Sequence, residues 1–319
     1  MIPKILVTRK LLPEALAYLE EHTRVEGGRK PGGLTREELK QKIQDKDGLL
    51  CLLTDRIDRE VISAARRLRI IANCAAGFDN IDVGFAKEKG ILVANTPGVL
   101  TEATADLTWA LILAVARKIP QAHRFTKKKR FTGWELDLFL GQEVSGRRLG
   151  IIGLGRIGKA VAERARAFRM EVVYCDPHRL AIEEEKACNV AYLTLAELLA
   201  TSDIVTIHAS LNLETHHLLS AEKLGLMKKT AILVNAARGP IVDEAALAEA
   251  LAKGDIWGAG LDVYEREPKI ERRLLGLENV VLLPHIGSTT YETRSRMAMA
   301  AARNLVQGLR GERPDNLIV

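Results

Sequence analysis

Aromatic residues are scarce in this chain of 319 residues, at 4%. A nucleic-acid surface that stacks bases on aromatic rings has little to draw on. Lys127-Lys128-Lys129-Arg130 is the only dense basic run and reads as a solvated turn. The net charge of +6, from 47 basic and 41 acidic residues, is modest. No nucleic-acid partner is expected. Cysteine is scarce too. Cys51, Cys74, Cys175 and Cys188 form no CxxC pair, and Cys51 and Cys175 read as small core residues in apolar runs. Long hydrophobic runs are missing. The longest, Trp109 to Ala116, is too short to span a bilayer. Met1 to Thr8 reads as a strand rather than a signal peptide. A cytoplasmic protein with no membrane partner is therefore expected.

What is present is enough apolar material, 47% of residues, for more than one core. The length suits two domains. The chain is organised around Leu149-Gly150-Ile151-Ile152-Gly153-Leu154-Gly155-Arg156-Ile157-Gly158, where an apolar run enters a glycine turn and a helical pattern leaves it. Gly153, Gly155 and Gly158 match G-x-G-x-x-G. The first glycine permits the turn, the second lets a pyrophosphate approach, and the third lets helix and strand pack closely. N–H groups at the helix start then point at the phosphates. Ala160 to Phe168 reads as that helix and Val172 to Cys175 as the next strand. Asp176 closes the strand where an acidic residue would hold ribose hydroxyls. This predicts a Rossmann dinucleotide-binding domain.

Before that loop, Lys4–Thr8, Gly48–Leu53, Ile70–Asn73 and Ile91–Ala94 read as strands. Pro13–Glu21 and a segment from Thr35 to Lys46, opened by a Thr35/Glu38 capping box, read as helices. Strands alternating with helices predict a doubly wound α/β unit with a parallel sheet. Asn95-Thr96-Pro97-Gly98 ends it. A helix from about Glu102 to Ala116 is apolar on nearly every side and is expected to be buried all round, as one joining two domains or packed against a second subunit would be. Phe125 to Gly146, with Trp134, Leu136, Leu138 and Phe139, reads as an extended arm whose apolar residues need a partner surface. Later strands are expected at 204–208, 231–235, 259–262 and 280–283. Asp243 and Gly254 bound a helix between them. A last helix, about Glu292 to Leu309, can return to the first unit. The dinucleotide domain, 99–286 with an arm near 120–146, is then inserted in a substrate domain made of 1–98 and 287–319.

Ligands of open α/β sheets bind beyond the carboxyl ends of the strands. Arg238, Asp262, Glu267 and His285 all follow strand ends. Each alone has an ordinary loop or turn reading, and their joint placement points to chemistry. Hydride transfer to a carbonyl needs a cation for an acidic substrate, and Arg offers a planar fork. It needs a proton donor that titrates near neutrality, as His does. It also needs a carboxylate that orients the imidazole. Arg238, His285 and Glu267 supply these parts.

The chain resembles the D-isomer-specific 2-hydroxyacid dehydrogenases, most closely the glyoxylate/hydroxypyruvate reductases (glycerate dehydrogenases). The likeness is carried by Asn73 to Asp82, Asn95-Thr96-Pro97, Gly153 to Gly158, Asn235 to Gly239, Gly258 to Asp262, Glu267-Pro268 and Pro284 to Gly287. It implies a flavodoxin-like substrate domain around the Rossmann domain, and NAD(H) as cofactor, with NADP(H) disfavoured. It implies reduction of a small 2-oxo acid with no metal. In that scheme Arg238 binds substrate, His285 is the acid/base, and Glu267 is its partner. Ala76 and Gly77 would hold the substrate carboxylate through N–H groups. Asp262 would hold the nicotinamide carboxamide, and Thr104 would approach the same ring. Arg156 and Ile157 would cover the pyrophosphate, and Asp176 the ribose. The resemblance also implies a homodimer in which Trp134 reaches the partner's site. Ser210 stands where the family usually has Pro. Within the same fold a D-3-phosphoglycerate dehydrogenase without a regulatory domain is the alternative. From another class the alternative is an NAD(H)-sensing protein of the corepressor type.

Overall fold

Runs of two to five residues, mostly apolar, form the strands of two parallel sheets in a computed structural model that describes residues 2–319. Met1, the first residue of the strand expected at 1–8, lies outside the described residues. The chain forms two compact units, residues 1–100 with 288–319, and residues 101–287.

The first unit carries β1 (Lys4–Val7), β2 (Arg24–Gly27), β3 (Gly48–Cys51), β4 (Ile70–Asn73) and β5 (Leu92–Ala94), in the order β2-β1-β3-β4-β5. This is the flavodoxin-like order. The edge strand β2 was not expected. Its sequence Arg-Val-Glu-Gly lacks an apolar run, and pairing with β1 from Lys4–Arg24 to Val7–Gly27 makes it a strand. Pro13 opens the helix Pro13–His22 at a position where its missing N–H costs nothing. Thr35 and Glu38 do form a capping box, but the helix ends at Lys42 and passes into a 3-10 turn, Ile43–Asp45. The last helix, Tyr291–Arg310, packs Met297, Ala301 and Leu305 against Ile5, Val7 and Ile70. The two segments of this unit thus share one core although the whole second unit separates them in sequence. The chain end then lies antiparallel to β5. Ile318 N–H donates to Val93 O at 2.7 Å and Val93 N–H to Val319 O at 3.0 Å, which covers the sheet edge.

The second unit carries β6 (Arg148–Ile152), β7 (Glu171–Cys175), β8 (Ala191–Tyr192), β9 (Ile204–Ile207), β10 (Ile232–Asn235), β11 (Gly258–Leu261) and β12 (Val280–Leu282). Their order, β12-β11-β10-β9-β6-β7-β8, is the Rossmann order extended by one strand. The order reverses between β6 and β9, so a crevice opens at their carboxyl ends. The helix Thr101–Ala116 packs on β10, β11 and the helix Arg156–Ala165. Within the chain the helix is not covered all round: Ala110 is exposed and Leu107, Leu113 and Ala114 are half-buried on the flank turned away from the sheet. The expected arm also starts later than its sequence suggests. Ile119–Lys127 is a helix, and only the stretch from Lys128 to Arg147 is irregular. No helix among the described residues is long and apolar enough to cross a membrane.

Candidate active site

The glycine turn after β6 has the geometry its spacing predicts. Gly153 has φ +90°, and a Cβ there would lie 2.6 Å from Ala209 N. A Cβ on Gly158 would lie 2.3 Å from Gly153 O, so that glycine sets the close approach of helix to turn. A Cβ on Gly155 would meet nothing within 4 Å, which leaves the backbone open to a ligand. Gly155 is the N-cap of the ten-residue helix Arg156–Ala165 and supplies no side-chain cap. The first N–H groups of that helix, including those of Arg156 and Ile157, have no partner within it. An open backbone cradle with unanswered donors fits a dinucleotide pyrophosphate.

Asp176 stands just past β7, beside this turn. Its Oδ2 accepts from Leu154 N–H and its Oδ1 from His178 N–H, both at 2.9 Å. The sequence suggested a ribose ligand; in the contacts observed, the carboxylate pins the glycine turn. Arg179 nearby is engaged elsewhere. Its guanidinium grips Glu185 at 2.9 and 3.3 Å and lies 5.1 Å from the Tyr192 ring centroid.

The ends of β10, β11 and β12 carry Arg238, Glu267 and His285. After β10, the buried Asn235 folds the chain back on itself. Its Nδ2 donates to Arg238 O at 2.9 Å and its Oδ1 accepts from Ala237 N–H at 3.1 Å. Arg238 is half-buried, and its Nη1 donates to Ala237 O at 2.8 Å. Gly239 follows because nothing larger fits. A Cβ there would lie 1.9 Å from the carbonyl carbon of Tyr264, so the arginine turn presses on the segment leading to Glu267.

His285 Nδ1 is 2.9 Å from Glu267 Oε2. Glu267 Oε1 accepts from Tyr264 N–H at 3.1 Å, which fixes the carboxylate from its other side. Burial pushes the Glu267 carboxyl up, but the His285 hydrogen bond and charge, the Tyr264 N–H and the Arg238 charge outweigh it and hold it below the usual range. Glu267 is therefore an anion throughout the neutral range. The other ring nitrogen of His285, Nε2, has no protein partner among the described residues.

His285 sits at φ +55°, in the left-handed region that non-glycine residues seldom adopt. Asp262 shows what holds it. This carboxylate is 1% exposed, and its two oxygens accept from Ile286 N–H and Gly287 N–H, each at 2.7 Å. Burial raises its pKa despite those two bonds. Tyr264 adds a third tie, its hydroxyl donating to Leu283 O at 2.7 Å. Thr104 is buried in the first turn of its helix, and its Oγ1 would lie 3.6 Å from a Cβ on Gly287. Thr104, Asp262 and the His285 loop therefore meet in one place.

In the other unit, Ala76 and Gly77 follow β4. Every carbonyl of the stretch 75–77 is occupied: Ala75 O by Thr96 N–H at 2.9 Å, Ala76 O by Asn95 Nδ2 at 2.6 Å, and Gly77 O by Asn73 Nδ2 at 2.9 Å. The N–H groups of Ala76 and Gly77 find no protein acceptor among the described residues. Trp134 is 81% exposed on the irregular stretch and packs into no core. Sequence reasoning missed the supports Asn73, Asn95, Asn235 and Glu244. All are polar and buried; Asn73 and Asn235 close β4 and β10 and Asn95 follows β5, whereas Glu244 opens a helix and has no strand end to mark it.

A Rossmann sheet with an open phosphate cradle, and an imidazole–carboxylate pair beside an arginine at its strand ends, define a dinucleotide-dependent oxidoreductase. Residues 109–287 match the family described as D-isomer specific 2-hydroxyacid dehydrogenase, NAD binding domain, and the chain belongs to that family. It is similar to a glyoxylate reductase of Aeropyrum pernix, at 50% identity over 99% of this chain and 96% of the relative. Among solved structures it is similar to the TT0316 protein of Thermus thermophilus, with TM-score 0.91, 45% identity, and 99% and 100% of the two chains covered. It is also similar to an NADPH-dependent glyoxylate/hydroxypyruvate reductase of Sinorhizobium meliloti, solved with NADP and malonate, with TM-score 0.88, 32% identity, and 100% and 97% covered.

Proposed function

We propose that this protein reduces glyoxylate or hydroxypyruvate to glycolate or D-glycerate with NADH, in the cytoplasm, and that Arg238, Glu267 and His285 carry the reaction. The observation behind this is the 2.9 Å contact of His285 Nδ1 with Glu267, which leaves Nε2 to face a substrate. When bound, NADH supplies a hydride to C2 of the 2-oxo acid. Protonated His285 gives its Nε2 proton to the carbonyl oxygen. Glu267, anionic throughout, balances the imidazolium before that transfer. Arg238 holds the carboxylate and draws charge onto the carbonyl oxygen. The free N–H groups of Ala76 and Gly77 are the proposed further donors to the carboxylate. Arg156 and Ile157 cover the pyrophosphate through N–H groups, and Thr104 and Asp262 line the nicotinamide end. The experiment is a kcat/KM panel of glyoxylate, hydroxypyruvate, pyruvate, 3-phosphohydroxypyruvate and phenylpyruvate with each cofactor. Leading values for glyoxylate or hydroxypyruvate are expected. A lead for the phosphorylated acid, or no turnover, would refute the assignment.

Asp176 should make NADH the preferred cofactor. A 2′-phosphate carries roughly −2, and like charges about 4 Å apart cost about 4 kcal/mol per pair at an effective dielectric of ~20. The Asp176 side chain is 21% exposed, so screening is partial. Arg179 can answer the phosphate only by leaving Glu185. We expect NADH to be preferred by ~10²-fold in kcat/KM, which needs only about 3 kcal/mol. Asp176→Asn removes the charge while its one oxygen can keep the Leu154 N–H, at the loss of the His178 N–H bond. It should narrow the preference about tenfold. Equal use of both cofactors by the wild type would transfer the selection to another residue.

A homodimer built through the arm is the proposed assembly. Phe131, Trp134, Leu136 and Leu140, within ten positions of one another, are 59 to 81% exposed, and exposed apolar side chains gathered on one stretch mark a surface for a partner. The half-buried strip Leu107, Leu113 and Ala114 calls for the same cover. Sedimentation should give twice the chain mass, and Leu136→Asp with Leu140→Asp should give the single mass. Trp134→Ala should change the ranking of 2-oxo acids while NADH affinity stays put. A double variant of unchanged mass would rule out the arm as interface.

A further inference from the structure

Glu244 is a buried carboxylate that no step of the reaction uses. It opens the helix Glu244–Lys253 and is 7% exposed. An acid at that position ordinarily serves its own helix end. Here Asp243 does so, accepting from Ala246 N–H at 3.0 Å. Glu244 turns to another segment. Its Oε2 accepts from Glu265 N–H at 2.7 Å, and its Oε1 from Glu271 N–H at 2.5 Å. Its own N–H returns the contact, donating to Glu265 Oε2 at 3.4 Å. The two N–H groups it accepts from bracket the segment that carries Glu267.

We infer that Glu244 is a positioning residue: it clamps both ends of the segment Glu265–Glu271 and so holds Glu267 against His285. This rests on the acid–base assignment made above. The clamp needs an acceptor with two oxygens, because both groups it fixes are N–H donors. No neighbour can take its place. Glu265 spends its carboxylate on Glu244 N–H and faces His217 Nε2 at 3.4 Å, and Arg273 pairs with Glu271 at 3.0 Å. On the Glu267 side the charged groups are His285, Arg238 and the buried Asp262. With the clamp released, Glu267 drifts from His285 and the imidazolium loses its counter-charge.

The test is reductive kcat/KM against pH for wild type, Glu267→Gln, Glu244→Ala and the double variant, with NADH binding by fluorescence and thermal melting alongside. Protonated His285 is the active form, so activity falls as pH rises. Loss of the counter-charge should move that fall to lower pH by about one unit. Glu244→Ala should do this, lower kcat/KM by about 10- to 10²-fold at neutral pH, and leave NADH binding unchanged. Added to Glu267→Gln it should do almost nothing further, since both act through one contact. If Glu244→Ala does not fold, Glu244→Gln, which keeps one acceptor, is read in the same way with a smaller shift. A profile that moves in Glu267→Gln but stays in place in the Glu244 variants, whatever their melting temperature, overturns the inference and leaves the acid–base pair standing. A profile that moves in none of them overturns the pair itself.

Discussion

His285→Ala should lower kcat for glyoxylate or hydroxypyruvate by about 10²–10⁴-fold, the range for loss of a general acid. Its Nδ1 is committed to Glu267 at 2.9 Å, and Nε2 has no protein partner among the described residues. NADH binding should persist, because the glycine turn, Asp176 and the helix Arg156–Ala165 are separate from the His285 loop in sequence and in hydrogen bonding. The loop itself should hold its shape, since Asp262 grips Ile286 N–H and Gly287 N–H rather than the imidazole. Stopped-flow traces and steady-state rates measure the effect. A variant that keeps more than about a tenth of kcat would remove His285 from the role of acid.

Arg238→Lys should be nearly as costly in kcat/KM, by about 10²-fold or more for every 2-oxo acid, because an ammonium cannot reproduce a planar two-point contact. The structure sharpens this expectation. Asn235 and the close approach of Gly239 to Tyr264 fix the turn that carries Arg238, so a shorter cationic group cannot be met by backbone movement. The Arg238 charge also helps to hold Glu267 in its anionic form. Lysine preserves that long-range effect. The loss should therefore appear chiefly in substrate KM and kcat, while the pH dependence stays near that of the wild type. Unchanged kinetics would assign the carboxylate to other donors.

His285 and Arg238 were both identifiable from the sequence, as polar groups following apolar runs. Their place beyond strand ends also grouped them, but the contacts that hold them, His285 Nδ1 on Glu267 and Asn235 on the Arg238 turn, follow from no spacing rule.

The sequence by itself determined the alternation of apolar runs with helical patterns, hence two parallel sheets. It also determined the glycine turn, because Gly153 at φ +90° and Gly158 against Gly153 O need residues without a Cβ. Those are local constraints, written in short runs of neighbouring residues. The tertiary structure decided what depends on distant neighbours. β2 is a strand only because β1 lies beside it. Which flank of the helix Thr101–Ala116 its own chain covers, and that Ala110 is left outside it, is set by the sheet and helix it packs on, because composition records how apolar a helix is and not what covers each side. Asp176 pins the glycine turn. Asp262, Asn95 and Glu244 spend their polar atoms on backbone groups far along the chain. A buried polar side chain must find a partner, but which partner it finds is set by the packing of whole elements, and that packing exists only once the sheets have formed.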